Sequence, residues 1–129
     1  KNKTMKTKFY EFNQNNSGGS FDVDNDVCHR LFIEATNAEQ ANRIAQDLGV
    51  YFDGCDSGMD CDCCGDRWYE ADDYDVVDLK KLSESYKTEL TTIEDYAQLL
   101  ADKYGWTTPD ARVFYLSGER TEINKKALA

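Results

Sequence analysis

The chain is poor in positive charge, carries one histidine and contains no long apolar run. Its 15 lysines and arginines stand against 25 aspartates and glutamates, so the net charge is −10. A field of that sign opposes binding to DNA, RNA and anionic membranes. No segment approaches the roughly 18 apolar residues of a membrane-spanning helix. Any acid–base mechanism must use His29 or carboxylates, and its neighbour Cys28 would face the opposite side of a strand.

The cysteines restrict the cellular compartment. Five is an odd number, and residues 1–8 are polar rather than a signal segment. We therefore expect a cytoplasmic protein with reduced thiols. The 129 residues fit one domain, 1–129. Within it, we expect residues 1–6 to be disordered or the remnant of an expression tag, and 124–129 to be a frayed tail.

Residue patterns predict an α+β fold, in which an antiparallel or mixed β-sheet packs against two or three helices. Aromatic or alternating apolar residues predict strands over 7–13, 21–23, 28–35, 50–52, 67–71, 111–116 and 120–123. Helical spacing of apolar residues predicts helices over 38–48, 78–87 and 92–104. Capping boxes with Thr36 and Glu39, and with Thr91 and Glu94, would begin two of these helices.

Two stretches are not easily explained by core packing. Residues 13–21, N-Q-N-N-S-G-G-S-F, combine four amide side chains with a Gly-Gly pair. They could form a plain hairpin turn or a polar loop that meets a ligand. Residues 61–68, C-D-C-C-G-D-R-W, hold three cysteines, an arginine and a tryptophan. Neither stretch matches a motif that fixes a reaction.

Three interpretations of the cysteine cluster stay open. Cys55, Cys61, Cys63 and Cys64 could bind zinc, with His29 as an alternative ligand, although their spacing lacks the two separated pairs of structural zinc sites. They could instead pack as small apolar residues in a compact loop. Finally, Cys61 and Cys64 have the C-x-x-C spacing of redox pairs. We expect no cofactor, with zinc the one metal that these residues leave open.

Four segments together resemble a family of small proteins encoded by bacteriophages and prophages. They are K-F-Y-E-F-N-Q-N-N-S-G-G-S-F, V-C-H-R-L-F-I-E-A, D-L-G-V-Y-F-D-G-C and D-C-D-C-C-G-D-R-W, all within residues 8–69. Within that family, the sequence is similar to the anti-defence sponge that counters the Thoeris system. The resemblance implies a homo-oligomer in the cytoplasm of the infected bacterial host. Its pockets would bind a cyclic ADP-ribose signal, or cyclic oligonucleotides, and withhold them without cleavage.

Such a ligand carries a pyrophosphate, riboses and an adenine. On chemical grounds we expect Arg112 and Arg67 to contact phosphate, since guanidinium groups suit that geometry. We expect Phe114 and Trp68 to stack on the base, and Asn16 to contact a ribose. No catalytic residue and no enzymatic activity are expected, because the sequence offers no convincing catalytic set.

Two other classes of protein stay open beside the sponge. A cysteine- or zinc-stabilised phage protein could bind a host protein through its acidic surface, and chelators would then destabilise it. A nucleotide hydrolase could instead use the carboxylates of residues 53–66 with a divalent cation. Intact recovery of a bound ligand would separate the sponge from the hydrolase.

Overall fold

A computed structural model describes residues 6–15, 20–62 and 64–126 of the chain. They form a four-stranded mixed sheet with four helices, so the predicted α+β class is confirmed. The elements are β1 Lys8–Asn13, β2 Arg30–Ala35, α1 Ala38–Leu48, α2 Gly54–Ser57, α3 Leu79–Tyr86, α4 Ile93–Tyr104, β3 Ala111–Phe114 and β4 Arg120–Ile123. No helix in these ranges is both long and apolar enough to cross a membrane.

The strand order brings three strand ends to one edge of the sheet. The order is β1-β2-β3-β4, with β2 and β3 parallel and both outer pairs antiparallel. Arg30, the first residue of β2, is opposite Asn13 at the end of β1 and Ala111 at the start of β3. The chain segments that follow β1 and precede β2 and β3 therefore meet at this edge.

The sheet is buried on both faces. Leu31, Ile33 and Ala35 of β2 pack on the α1 side, whereas Phe32 packs on the α4 side. This confirms the predicted alternation of faces along the strand. Alanines 38, 41 and 45 let α1 lie close to the sheet, and Ala97 and Ala101 do the same for α4. A central strand with two apolar faces is what such a three-layer arrangement requires.

Two predicted helix starts are wrong by one residue. Asn37, rather than Thr36, caps α1 and accepts a 2.8 Å hydrogen bond from the amide of Gln40. Thr92 and Asp95, rather than Thr91 and Glu94, form the capping box of α4. Each start offers two cap-forming residues in a row, and the second is the one whose side chain meets the third amide of the helix.

Three predicted strands, 21–23, 50–52 and 67–71, are not strands. Their backbone groups pair elsewhere: Val50 N donates to Ala45 O at the end of α1, and Ala71 N donates to Asn42 Oδ1. Val50, Trp68 and Ala71 nevertheless lie in the hydrophobic core on the α1 side. Their apolar pattern therefore indicated burial correctly but not strand pairing.

Candidate functional site

An open cleft of about 830 Å³ lies at the edge where β1 ends and β2 and β3 begin. Its described lining residues are Gln14, Asn15, Ser20, Phe21, Val23, His29, Trp106, Thr107 and Thr108. They come from two connections, residues 14–29 between β1 and β2 and residues 105–110 between α4 and β3. The volume lies within the range of about 300–1,000 Å³ that is typical of small-molecule sites.

Three of the described lining residues, Phe21, His29 and Trp106, carry aromatic rings. Trp106 is 74% exposed, although tryptophan is usually among the more buried residues. Its backbone amide is fixed by a 2.9 Å hydrogen bond to Asp110 Oδ1, so the exposed indole stands on an anchored chain. The ring of Phe21 packs against His29 with the ring centroids 4.7 Å apart. A planar apolar ligand would find two aromatic surfaces here.

The buried amide of Gln14 ties the segments around the cleft together. Its Nε2 donates to the carbonyls of Asp22 at 3.1 Å and Cys28 at 3.0 Å. Its Oε1 accepts a 2.6 Å hydrogen bond from the guanidinium of Arg67. The backbone amide of Gln14 also donates to His29 O at 2.8 Å. These bonds hold the segment after β1 against the start of β2.

A fully buried carboxylate, Asp110, lies behind the cleft. Its Oδ1 accepts hydrogen bonds from His29 Nδ1 and from the amide of Trp106, both at 2.9 Å, and its Oδ2 pairs with the guanidinium of Arg30. Burial on its own would raise the pKa of Asp110. The hydrogen bonds from His29 and Trp106 and the charge of Arg30 outweigh it, so that the pKa lies below its ordinary value. The carboxylate is therefore ionised at neutral pH.

His29 connects this buried network to the cleft. Its Nδ1 contacts Asp110, and its ring lines the cleft. The side chain as a whole is largely buried, with 9% of its surface exposed, and its Nδ1 is already occupied by Asp110. Nε2 is therefore the ring nitrogen that a molecule in the cleft can reach.

Two of the predicted ligand-binding residues, Arg112 and Phe114, lie in β3 and are buried. Arg112 donates to Glu122 Oε2 at 2.9 Å and to the carbonyls of Asp24 and Val27 at 2.7 and 3.1 Å. Phe114 lies beneath the guanidinium of Arg120, 4.7 Å from the ring centroid. Both side chains are engaged in contacts within the fold, and neither lines the cleft.

The other predicted residues are dispersed. Trp68 is 1% exposed and borders a neighbouring cleft of about 360 Å³. Arg67 supports the main cleft from behind, through hydrogen bonds to Gln14 and to the carbonyl of Ser20. Asn16 lies outside the described residues. The structure therefore does not bring the predicted phosphate and base contacts together in one pocket.

Trp106 was not among the residues predicted to bind a ligand, and Phe21 was singled out only as part of the 13–21 stretch. The available signal was a tryptophan in a polar segment directly after the end of a helix, where little apolar surface can cover it. His29 was noted as the chain's single imidazole, but its partner Asp110 is 81 positions away and has no local signature.

The cysteine-rich loop lies apart from the core. Cys61 and Cys64 are exposed, so packing as small apolar residues in a compact loop does not describe either of them. A hydrogen bond with Asp66 is the largest of the effects that raise the pKa of Cys55 to about 11. Within residues 6–15, 20–62 and 64–126, no three histidine, cysteine or acidic side chains are grouped closely enough to hold a metal ion. Cys63 lies outside these ranges.

Comparison with known proteins gives one match. A family model described as a domain of unknown function (DUF7296) matches residues 7–129. No curated protein and no solved structure matches the chain. The family match covers the sheet, the helices and both connections that line the cleft.

Proposed function

The chain belongs to the DUF7296 family, and we propose that it binds and sequesters a nucleotide signal of the cyclic ADP-ribose type without cleaving it. In this proposal it is a phage anti-defence protein that acts in the cytoplasm of an infected bacterium. The observation that carries the proposal is the exposed indole of Trp106 beside a cleft whose other described lining residues, apart from Val23, are polar or aromatic.

The chemistry of the lining supports a nucleoside-containing ligand. Stacking of a base on an aromatic side chain contributes about 1–3 kcal/mol, and Trp106 offers such a surface to solvent. The ring of Phe21 offers a second one. Asn15, Ser20 and Thr108 line the same cleft, and their amide and hydroxyl groups can pair with ribose hydroxyls.

Tight sequestration favours a homo-oligomer. A competitor for a signal needs about nanomolar affinity, which is roughly −12 kcal/mol. Small ligands reach that affinity when most of their surface is enclosed, whereas this cleft is open in one protomer. A second copy of the chain over the rim at Trp106 would supply the missing wall.

The paired His29 and Asp110 favour a second candidate function, a nucleotide-cleaving enzyme. An imidazole oriented by a buried carboxylate is the arrangement of a general base, and here it opens onto the cleft. Sequestration and cleavage differ in one observable, the chemical state of the ligand after binding.

The test combines binding with recovery of the ligand. Wild-type protein is titrated calorimetrically with cyclic ADP-ribose isomers, then denatured, and the released ligand is identified by mass spectrometry. We expect submicromolar binding and an unchanged ligand mass. Trp106→Ala should weaken binding by roughly 5- to 150-fold, the equivalent of one lost base stack.

Tyr74→Ala is the matched control, because Tyr74 is 96% exposed and does not line the cleft. It should bind like the wild type. Failure of every isomer to bind, or equal affinity of the Trp106 and Tyr74 variants, would contradict the proposal. A cleaved product would replace it with the enzyme. Native mass spectrometry of the same samples gives the oligomeric state and reveals any bound zinc.

A further inference from the structure

The cleft is short of positive charge for a ligand that carries phosphate. None of its described lining residues is a lysine or arginine, and His29 is the one among them with a side chain that titrates near neutral pH. The protein as a whole has a net charge of −10. A phosphate that entered the cleft would need a local cation, because a field of this sign repels anions.

His29 contacts a buried ion pair. From the segment before β3, Asp110 accepts from Nδ1 at 2.9 Å. From β2, Arg30 pairs with the same carboxylate and neutralises it. A protonated His29 therefore leaves this three-residue cluster with a net charge of +1.

The other segments near the imidazole place little net charge beside it. The segment after β1 presents the ring of Phe21, which is uncharged. Behind Gln14, Arg67 and Asp22 lie 3.5 Å apart as an ion pair, so their charges largely cancel. Among the groups near the cleft, the imidazole is therefore the one whose protonation a bound anion can change.

We propose that His29, as an imidazolium, is the anion-binding position of the cleft, and that a phosphate-bearing ligand takes up a proton when it binds. Nδ1–H would donate to Asp110 while Nε2–H donates to a phosphate oxygen. The inference takes its ligand class from the proposed function, but it requires only an anionic group at Nε2. It assigns to a histidine the role that the sequence analysis gave to Arg112 and Arg67.

Linkage fixes the sign of the pH dependence. A ligand that prefers the imidazolium raises the titration midpoint of His29 in the complex. Affinity is then highest at low pH and falls as pH rises from the free midpoint to the bound midpoint, by up to about tenfold per pH unit. A neutral ligand that accepts no hydrogen bond from Nε2 would leave the midpoint unchanged.

Because His29 is the only histidine in the chain, NMR can observe it without assignment. The wild-type protein with a labelled imidazole is titrated between about pH 5 and 8, the interval in which histidine changes charge. Three samples are compared: free protein, protein with ADP-ribose and protein with adenosine. ADP-ribose carries a pyrophosphate diester that does not titrate in this range, and adenosine is its matched uncharged control.

We expect ADP-ribose to raise the midpoint by about half a unit or more, which corresponds to at least a threefold linked change in affinity, and adenosine to leave it unchanged. His29→Gln should make ADP-ribose affinity constant between about pH 6 and 8. An unchanged midpoint in saturating ADP-ribose, or an equal shift with adenosine, would overturn the inference.

If cyclic isomers bind with no change in the midpoint, the sequestration proposal stands and this inference falls. If ADP-ribose shifts the midpoint but no cyclic isomer binds, the anion site stands and sequestration falls.

Discussion

Residues 53–66 and residues 106–110 differ in how conspicuous they are and in where they lie. The first segment holds four cysteines and five aspartates. It is held in place by Asp60, whose backbone amide donates to Gly54 O and whose carboxylate accepts a hydrogen bond from the hydroxyl of Tyr51. The second has no rare pattern, yet it supplies Trp106 and Asp110 to the cleft and to the network behind it. The difference teaches that position at a strand end decides which residues reach a site. Unusual composition alone does not, since the four lining residues from the unusual stretch 13–21 also follow a strand end.

The cysteine-rich loop still contributes to the cleft, as a support. Nδ2 of Asn15 donates to the carbonyls of Cys64 and Asp66 at 2.9 and 3.1 Å, and Arg67 N donates to Asp60 Oδ2 at 2.8 Å. Asn15 lines the cleft, so the loop braces one wall through backbone carbonyls. The two regions therefore have different roles. Residues 106–110 offer contacts to a ligand, and the loop supports the wall that contains Asn15.

The largest expected effect comes from Asp110→Asn. Removing one partner of a buried ion pair costs about 3–5 kcal/mol, and here Arg30 would be left without its counter-charge. We expect the free energy of unfolding in urea to fall by that amount. The matched change in the loop, Asp62→Asn, removes an exposed carboxylate. It should alter the free energy of unfolding by no more than about 0.5 kcal/mol. Similar losses for both variants would erase the contrast between the two regions.

The same variant predicts a pH dependence. Because the folded-state pKa of Asp110 is lowered, its contribution to stability is present above its unfolded pKa of about 3.9. That contribution is lost as pH falls through the lower, folded-state pKa. The stability gap between wild type and Asp110→Asn should therefore narrow below about pH 4. A gap that stays constant down to pH 3 would mean that the carboxylate charge is not what stabilises the network.

A smaller effect is expected from Arg67→Ala, which tests the supporting role of the loop. The change removes hydrogen bonds to Gln14 Oε1, to the carbonyl of Ser20 and to the hydroxyl of Tyr51. Hydrogen bonds to a charged group contribute about 1.5–3 kcal/mol when partly buried, so we expect a loss of about 2 kcal/mol in thermal or urea unfolding. Ligand affinity should fall as well, because the wall containing Gln14 loosens.

Arg43→Ala provides the control for charge and side-chain loss, since Arg43 is exposed on α1. It should change neither stability nor binding appreciably. If Arg67→Ala lowered affinity without lowering stability, the guanidinium would contact the ligand directly, as the sequence analysis expected. If Arg67→Ala changed neither affinity nor stability, the loop would not support the cleft at all.

Much of the fold was predictable because it follows local rules. The helix over 38–48 and the strands over 28–35, 111–116 and 120–123 were predicted from periodicity, and the structure confirms a helix or a strand in each range. Helix starts were wrong by one residue because adjacent residues such as Thr36 and Asn37 are both good N-caps, each for the amide three residues later. Residues 67–71 were taken for a strand because Trp68 and Ala71 are apolar, but their burial comes from the core beside α1 rather than from pairing.

The site was far less predictable, since its parts are distant in sequence. His29 and Asp110 meet only because β2 and β3 are parallel neighbours that begin at the same edge. An arginine beside an aromatic residue, such as Arg112 near Phe114, satisfies the chemistry of a nucleotide site equally well in a sequence. In the structure that arginine binds Glu122 and loop carbonyls instead. Tertiary pairing therefore decided which of several suitable side chains is free for a ligand.

The smallest effect on the fold is expected at Cys55, and it addresses the chemistry of the loop. Asp66 and the neighbouring carboxylates raise the pKa of this thiol to about 11. Its alkylation by iodoacetamide at pH 8 should be about a hundredfold slower than that of an ordinary thiol, because so little thiolate is present. The rate, followed by peptide mass spectrometry, should rise steadily toward pH 11.

Asp66→Asn sharpens this test, because an asparagine keeps an acceptor for the amide of Cys55 but removes the charge. We expect faster alkylation at pH 8 and little change in stability. A zinc-bound cysteine is also alkylated slowly, but for a different reason. The metal stabilises the thiolate and shields it from reagents. Rapid alkylation of wild-type Cys55 that appears only after a chelator is added would therefore show a metal-held loop. The carboxylates would then be the outer partners of a metal site rather than the cause of a protonated thiol.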